Sequence, residues 1–381
     1  MNRLSKFTVP EIIFGSGARW GAANAIRALD IEHSFVVTDL NMAQSNWLSE
    51  LKSTLAAQSL PFTVWTHACS PPEDHEITAG ARAYTEGRCD GIVALGGGSA
   101  MDAAKAIGIL ASNGGQILDY VGTDMTQQPL PPLVMIPTTI GSAADITGFC
   151  VITDTIQNRQ WTLIGKNLVP DISLSDPDIL LTMPPAGIAA SGLNTLSHAV
   201  EAYLSVAANS LTDSLALEAI NLVNQHLEPF YRDRDDVEAR ELIAAARVKA
   251  GMACANAGLG ITHALSLQLC VRLGLHPGLI SAVLLPDVLV FNMPAAPARV
   301  ARISRVLTDA PGSENQLLQA AIRRLRGLSS ALGAPASLRD LGVTRELLPE
   351  VVDGALRDAW VLANPRRPDT SDLLKFVESL L

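Results

Sequence analysis

The chain has 381 residues, 48% hydrophobic and 17% charged, a globular composition too long for a single ordinary core. Its formal net charge of −10 denies it the basic face that phosphate backbones require, so no nucleic-acid partner is expected. Five scattered cysteines without C-x-x-C spacing argue against a disulfide framework or a thiolate metal site.

In chain order, the opening MNRLSKFTVPEIIFG is interrupted by Pro10 and Glu11 before any apolar run develops, so no targeting segment is read there. A strand is predicted near 10–14. Short apolar, β-branched runs follow at 34–38, 62–65, 91–95 and 133–136, with helix-like stretches such as 45–58 and 77–87 between them. Strands alternating with helices imply βαβ units and a parallel sheet, and continuous apolar runs suit strands buried on both faces. A further strand near 149–153 is expected to extend that sheet, and 154–180, with Asp176-Pro177, reads as a connector. From about residue 180 apolar residues recur at helical spacing, in 186–206, 211–228, 236–257, 314–332, 344–362 and 370–381. The apolar region 261–292 is interrupted by Arg272, His276, Pro277 and Asp287, short of the roughly 18 uninterrupted residues of a membrane span. The expected fold class is α/β: a parallel-sheet domain over 1–180 and an all-α domain over 181–381. The cytoplasm is the expected location, with no membrane partner.

The run 91–95 leads directly into Gly96-Gly97-Gly98-Ser99, then the alanine-rich stretch 100–106 with Asp102 and Lys105. Glycines leave backbone N–H groups unobstructed, and the following helix would offer its N-terminus to a pyrophosphate. The spacing is not G-x-G-x-x-G, and a tight turn without a ligand is the alternative. Asp39, ending the run 34–38, can accept from an adenosine ribose and repel a 2′-phosphate, favouring NAD over NADP; a lone helix cap is the plainer reading. The run 133–136 ends in Pro137-Thr138-Thr139, whose hydroxyls suit phosphate or ribose contacts. All three segments lie at C-terminal strand ends, where open α/β sheets bind ligands.

These motifs continue with Asp176-Pro177, His198-Ala199-Val200-Glu201-Ala202-Tyr203, Gly258-Leu259-Gly260 before His263-Ala264, Ala282 to Pro286, and Asn364-Pro365-Arg366. Together, and in this order over essentially the whole chain, they resemble the iron-containing (group III) alcohol dehydrogenases. The resemblance implies a Rossmann-like NAD-binding domain and an all-helical metal and substrate domain, with the active site in the cleft between. It implies NAD(H) contacts at Asp39, Gly97, Gly98, Ser99, Asp102, Thr138 and Thr139. It also implies a divalent metal, iron or zinc, that polarises the carbonyl of a small aldehyde or ketone, and a homodimer.

The metal-ligand positions depart from the pattern of that family. Its Asp position is Asn194 here, in Gly192-Leu193-Asn194-Thr195-Leu196-Ser197-His198, where 194 and 198 share one helix face. Its second His after His263 is Leu267, and its Pro-His-Gly is inverted to His276-Pro277-Gly278. The candidate metal set is therefore Asn194, His198, His263 and His276, with His263 and His276 as the candidate catalytic residues; a three-His site with an open position suits zinc. The alternative keeps the three histidines as a remnant of ancestry. Gly141-Ser142-Ala143-Ala144-Asp145 is similar to a branch of alcohol-dehydrogenase-like proteins with regulatory roles in bacterial alcohol oxidation, and Gln160 stands where a Lys is expected. Two principal readings follow: an NAD-dependent alcohol dehydrogenase or aldehyde reductase, and a metal-free, NAD-binding sensor. A third, metal-free catalysis with a charged substrate held by Arg272, competes with a plain surface arginine. Glu201 reads as a brace between helices more than an outer metal ligand, and Trp161 and Trp360 as packing residues.

Overall fold

A computed structural model describes residues 6–381 of the chain. They form two compact units, one of Thr8–Thr139 with Ala143–Met183, the other chiefly Pro184–Leu381 with Ile140–Ser142.

The first unit is built on strands β1 (Glu11–Phe14), β2 (Ser34–Asp39), β3 (Phe62–Ala68) and β4 (Gly91–Gly96), with α1 (Ala22–Ala28), α2 (Leu40–Ala43), α3 (Asn46–Ala57) and α4 (Asp74–Glu86) between them. There follow α5 (Gly98–Asn113), β5 (Gly122–Thr123), β6 (Leu133–Pro137), β7 (Phe149–Asp154), β8 (Arg159–Ile164) and β9 (Ile172–Ser175). Six strands make a parallel sheet in the order β1-β9-β6-β4-β2-β3. Its central strands read as continuous apolar runs because both faces are covered. Phe35, Val37, Ile92, Ala94, Leu133 and Met135 join one core around α5 and α4. The alternate residues Val36, Val93, Leu95, Val134 and Ile136 join another with α1 and α3.

Two expectations are corrected. The strand at 149–153 does not extend the main sheet: β7 pairs antiparallel with β8 in a separate sheet of order β5-β8-β7. The place beside β6 is taken by β9, so 154–180 contains two strands and is more than a connector. The approach to β7 is also held under α5, where the fully buried Lys105 donates from Nζ to the carbonyls of Thr147 (2.6 Å) and Phe149 (2.8 Å).

The second unit is helical: α6 (Pro185–Leu204), α7 (Ser210–Arg232), α8 (Val237–Ala257), α9 (Ile261–Leu273), α10 (Pro277–Asn292), α11 (Pro297–Thr308), α12 (Glu314–Ala331), α13 (Leu348–Leu356) and α14 (Thr370–Glu378). Helix α6 is buried on every side from Ile188 to Leu204, which explains why its sequence lacks a polar face. Small residues let neighbours approach it: a Cβ on Gly192 would meet Leu227 of α7, and one on Gly278 would lie 1.8 Å from the Ala190 carbonyl oxygen. Among the described residues, no single helix is long and apolar enough to cross a membrane.

Candidate functional site

The glycine turn of the first unit leaves a gap in a buried surface. Gly96 and Ala100 are buried, whereas Gly97, Gly98 and Ser99 between them are partly open. Gly96 has φ +159°, and a Cβ there would lie 2.7 Å from the Ala100 Cβ, so only glycine joins β4 to α5 this tightly. Gly97 is the N-cap of α5 and supplies no side-chain acceptor. Gly97 itself thus caps none of the first-turn amides of this 16-residue helix, and the positive end of its dipole favours an anion there.

Asp39 and Thr139 flank the turn. Asp39 caps α2, its Oδ1 accepting from the N–H groups of Asn41 and Met42 at 2.9 Å each. Its Oδ2 lies 3.4 Å from where a Cβ on Gly96 would sit, so one carboxylate caps a helix and borders the glycine turn. Thr139 comes within 3.2 Å of the Cβ position of Gly97, and the Thr138 N–H donates to the Gly96 carbonyl (2.9 Å). The structure therefore gathers Asp39, Gly96, Gly97, Thr138 and Thr139. Ser99 bonds the Ser70 hydroxyl (3.0 Å), a neighbour the sequence did not reveal. Asp102 is turned instead to the backbone of Val151; burial pushes its carboxyl up to about 7, against the pull of Lys105.

In the helical unit, Asn194 and His198 sit one turn apart on α6, 4% and 2% exposed. Asn194 Nδ2 donates to the Gly141 carbonyl (2.8 Å) and lies 3.3 Å from His198 Nε2, which accepts when the imidazole proton is on Nδ1. Among the described residues, the buried Asn194 Oδ1 has no hydrogen-bond partner. His263, on the first turn of α9, has its ring 5.4 Å from that of His198 and 6.4 Å from that of Trp360. Burial, reinforced by His276, pushes the His198 imidazole down to about 4, and burial with His198 beside it holds His263 well below the usual range. His276 is more exposed and caps α10, its Nδ1 accepting the Gly278 N–H at 3.1 Å. Its extended backbone (φ −71°, ψ 132°) is what the following proline demands. Gly278 packs within 3.1 Å of the Asn194 Cβ, measured from its own Cβ position, and so brings this cap against α6.

These donors fit a divalent cation in chemistry: imidazoles kept neutral by burial, and a buried amide oxygen lacking a hydrogen-bond donor. They do not form a finished cage. Among the described residues, no three His, Cys, Asp or Glu side chains are grouped so as to hold a metal ion. Leu267, one turn beyond His263, is buried and carries no proton. Arg272 donates to the Gln268 carbonyl (2.9 Å) and lies 3.7 Å from Glu350, so it braces α9 against α13.

The family model for iron-containing alcohol dehydrogenases matches residues 10–177, and that for the C-terminal part of the Fe-containing alcohol dehydrogenase family matches 188–381. The chain is 36% identical over 377 residues to alcohol dehydrogenase 4 of Schizosaccharomyces pombe, covering 98% of this chain and 88% of the relative. It is 30% identical to the NAD-dependent methanol dehydrogenase of Bacillus methanolicus, over 98% and 99% of the two chains. Its fold matches a crystal structure of 1,3-propanediol oxidoreductase with a TM-score of 0.96 and 31% identity, covering both chains completely.

Proposed function

The chain belongs to the iron-containing alcohol dehydrogenase family, and from that premise we propose that it transfers hydride between NAD(H) and a short alcohol or aldehyde. The observation that carries this reading is the glycine turn opening onto the N-terminus of α5, bordered by Asp39 and Thr139, in a chain matched over its length by dehydrogenases. Gly97, Gly98 and Ser99 would face the pyrophosphate, with Thr138 and Thr139 beside it. Asp39 would accept from the ribose and repel a 2′-phosphate. Asp102, whose carboxyl bonds the backbone of Val151, stays in the proposed cofactor set beside them.

A divalent metal would be held by Asn194, His198, His263 and His276, and when bound supplies Lewis-acid polarisation of the substrate oxygen. Asn194 brings one negative charge fewer than a carboxylate, so we propose weaker metal retention than an Asp would give. The neutral state of His198 and His263 lets them ligate near neutral pH without first losing a proton. Leu267 cannot relay a proton, so that role would fall to a group other than the side chain at 267.

A metal-free NAD-binding sensor is the second reading, favoured by one observation: among the described residues, the His, Cys, Asp and Glu side chains do not group into a metal cage. Steady-state reduction of NAD⁺ with a panel of short primary alcohols and diols separates the two. The dehydrogenase reading predicts turnover with at least one of them and markedly less efficient turnover with NADP⁺; NAD⁺ binding without turnover on any of them, at saturating metal, supports the sensor.

We also propose a homodimer formed along β1. In the described residues β1 pairs only with β9, and Ile13 and Phe14 are exposed. Sedimentation should give twice the chain mass, and a monomer would refute this. We propose the cytoplasm as its location, in keeping with five scattered cysteines without disulfide-framework spacing.

A further inference from the structure

Helix α9 carries His263 on its first turn, yet its own N-cap, Gly260, offers no side chain to the free amides. The acceptor comes from another helix. Glu201, on α6 three residues after His198 and 2% exposed, accepts the Thr262 N–H (2.6 Å) and the His263 N–H (3.2 Å). The Gly260 amide also donates to it.

Glycine at 260 makes room for this. A Cβ there would lie 2.8 Å from Glu201 Oε1 and 2.8 Å from Asn364 Oδ1. Asn364 is locked in turn: its Nδ2 donates to Asn292 Oδ1 (2.8 Å) on α10 and to the Arg366 carbonyl (2.6 Å). Two buried polar groups thus border Gly260, Glu201 tying α6 to α9 and Asn364 tying α10 to the segment 364–366.

We propose that Glu201 is a positioning residue, a helix cap supplied by α6 that sets the first turn of α9, and with it His263, opposite His198. A carboxylate at a helix N-terminus satisfies several orphan amides at once and is favoured by the helix dipole. Because Glu201 and His198 share one helix, the cap fixes the spacing of two imidazoles without touching either ring. This rests on the metal-site reading above.

The test uses full-length protein and two readouts. Backbone amide exchange across 258–265, measured metal-free, reports the cap; Co(II) affinity by chelator competition reports the imidazole pair. In Glu201→Ala, exchange at 260–263 should accelerate while other helices keep their protection. Co(II) affinity should fall roughly 10- to 100-fold, and NADH affinity should be unchanged. Glu201→Gln, which retains an acceptor oxygen, should recover part of both. Gly260→Ala, which leaves the carboxylate in place but displaces it, should weaken Co(II) binding as well, and it serves if Glu201→Ala does not fold. Wild-type and variants binding Co(II) equally would overturn the positioning role. A wild-type protein that takes up no Co(II) would instead overturn the metal reading beneath it, while exchange still reports whether Glu201 caps α9.

Discussion

Asp39 does two jobs in the structure, and they can be separated by substitution. Its Oδ1 holds two amides of α2 at 2.9 Å, while Oδ2 faces the glycine turn. Asp39→Asn keeps the cap and removes the charge; Asp39→Ala removes both. Capping alone makes Asp39→Ala cost about 1 kcal/mol of stability and leaves Asp39→Asn near zero. In the proposed cofactor site the charge would act on cofactor choice. Two unit charges 4 Å apart repel by about 1 kcal/mol in water and about 4 kcal/mol at an effective dielectric of 20. A 2′-phosphate set against this partly exposed carboxylate should therefore be penalised by about 2–4 kcal/mol, roughly 30- to 1000-fold in relative efficiency. Measuring kcat/KM for NADP⁺ and NAD⁺, beside a urea melt, gives both numbers. Asp39→Asn should raise the NADP⁺/NAD⁺ ratio by that factor at unchanged stability. A ratio that stays within about twofold of wild type would refute the placement of the ribose beside Asp39.

Three further outcomes are expected. Asn194→Asp replaces the donor to the Gly141 carbonyl by a buried carboxylate, so the metal-free protein should lose about 1–3 kcal/mol while Co(II) binds at least about tenfold more tightly; calorimetric melting with and without Co(II) checks both. Lys105→Met leaves the Thr147 and Phe149 carbonyls without their donor and should cost about 2–5 kcal/mol by urea unfolding; a loss under about 1 kcal/mol would contradict the buried bonds. The third concerns pH. With its folded pKa depressed from 6.5 to about 4, His198 takes up its proton first in the unfolded chain. Its contribution is intact above pH 6.5 and lost as pH falls toward 4, by about 3 kcal/mol. Metal-free wild type should lose that much more than His198→Asn between pH 7 and 4; parallel pH–stability curves would contradict it.

The main sheet was legible because β2, β4 and β6 are buried on both faces and therefore spell continuous apolar runs. Strand β9 escaped because its ISLS alternates small and apolar residues, and Ser173 hides its hydroxyl by donating to the buried Asp145. Helices α9 and α10 were not read as helices because burial removes the polar face that makes a helical period visible, leaving an almost uniformly apolar stretch. At the candidate site, the shared face of Asn194 and His198 followed from their spacing alone, and their side chains do meet. The partners across the fold did not follow. Gly141, Gly278 and Trp360 come to this cluster through tertiary packing, and only the conspicuous glycines hinted at close approach. The bond of Asp102 to the Val151 backbone was likewise not legible in the sequence, because Val151 reaches α5 through tertiary packing.

The proposed dehydrogenase needs this imidazole cluster to work with NAD(H) on a carbonyl. The direct measurement is NADH oxidation with a short aldehyde by full-length protein stripped by chelator, then reloaded with Fe(II) or Zn(II). No turnover is expected when stripped, and reloading should restore a turnover that His198→Ala and His263→Ala each abolish. Tight NADH binding with no turnover under any metal would contradict it and leave the chain as a cofactor-binding protein without this chemistry.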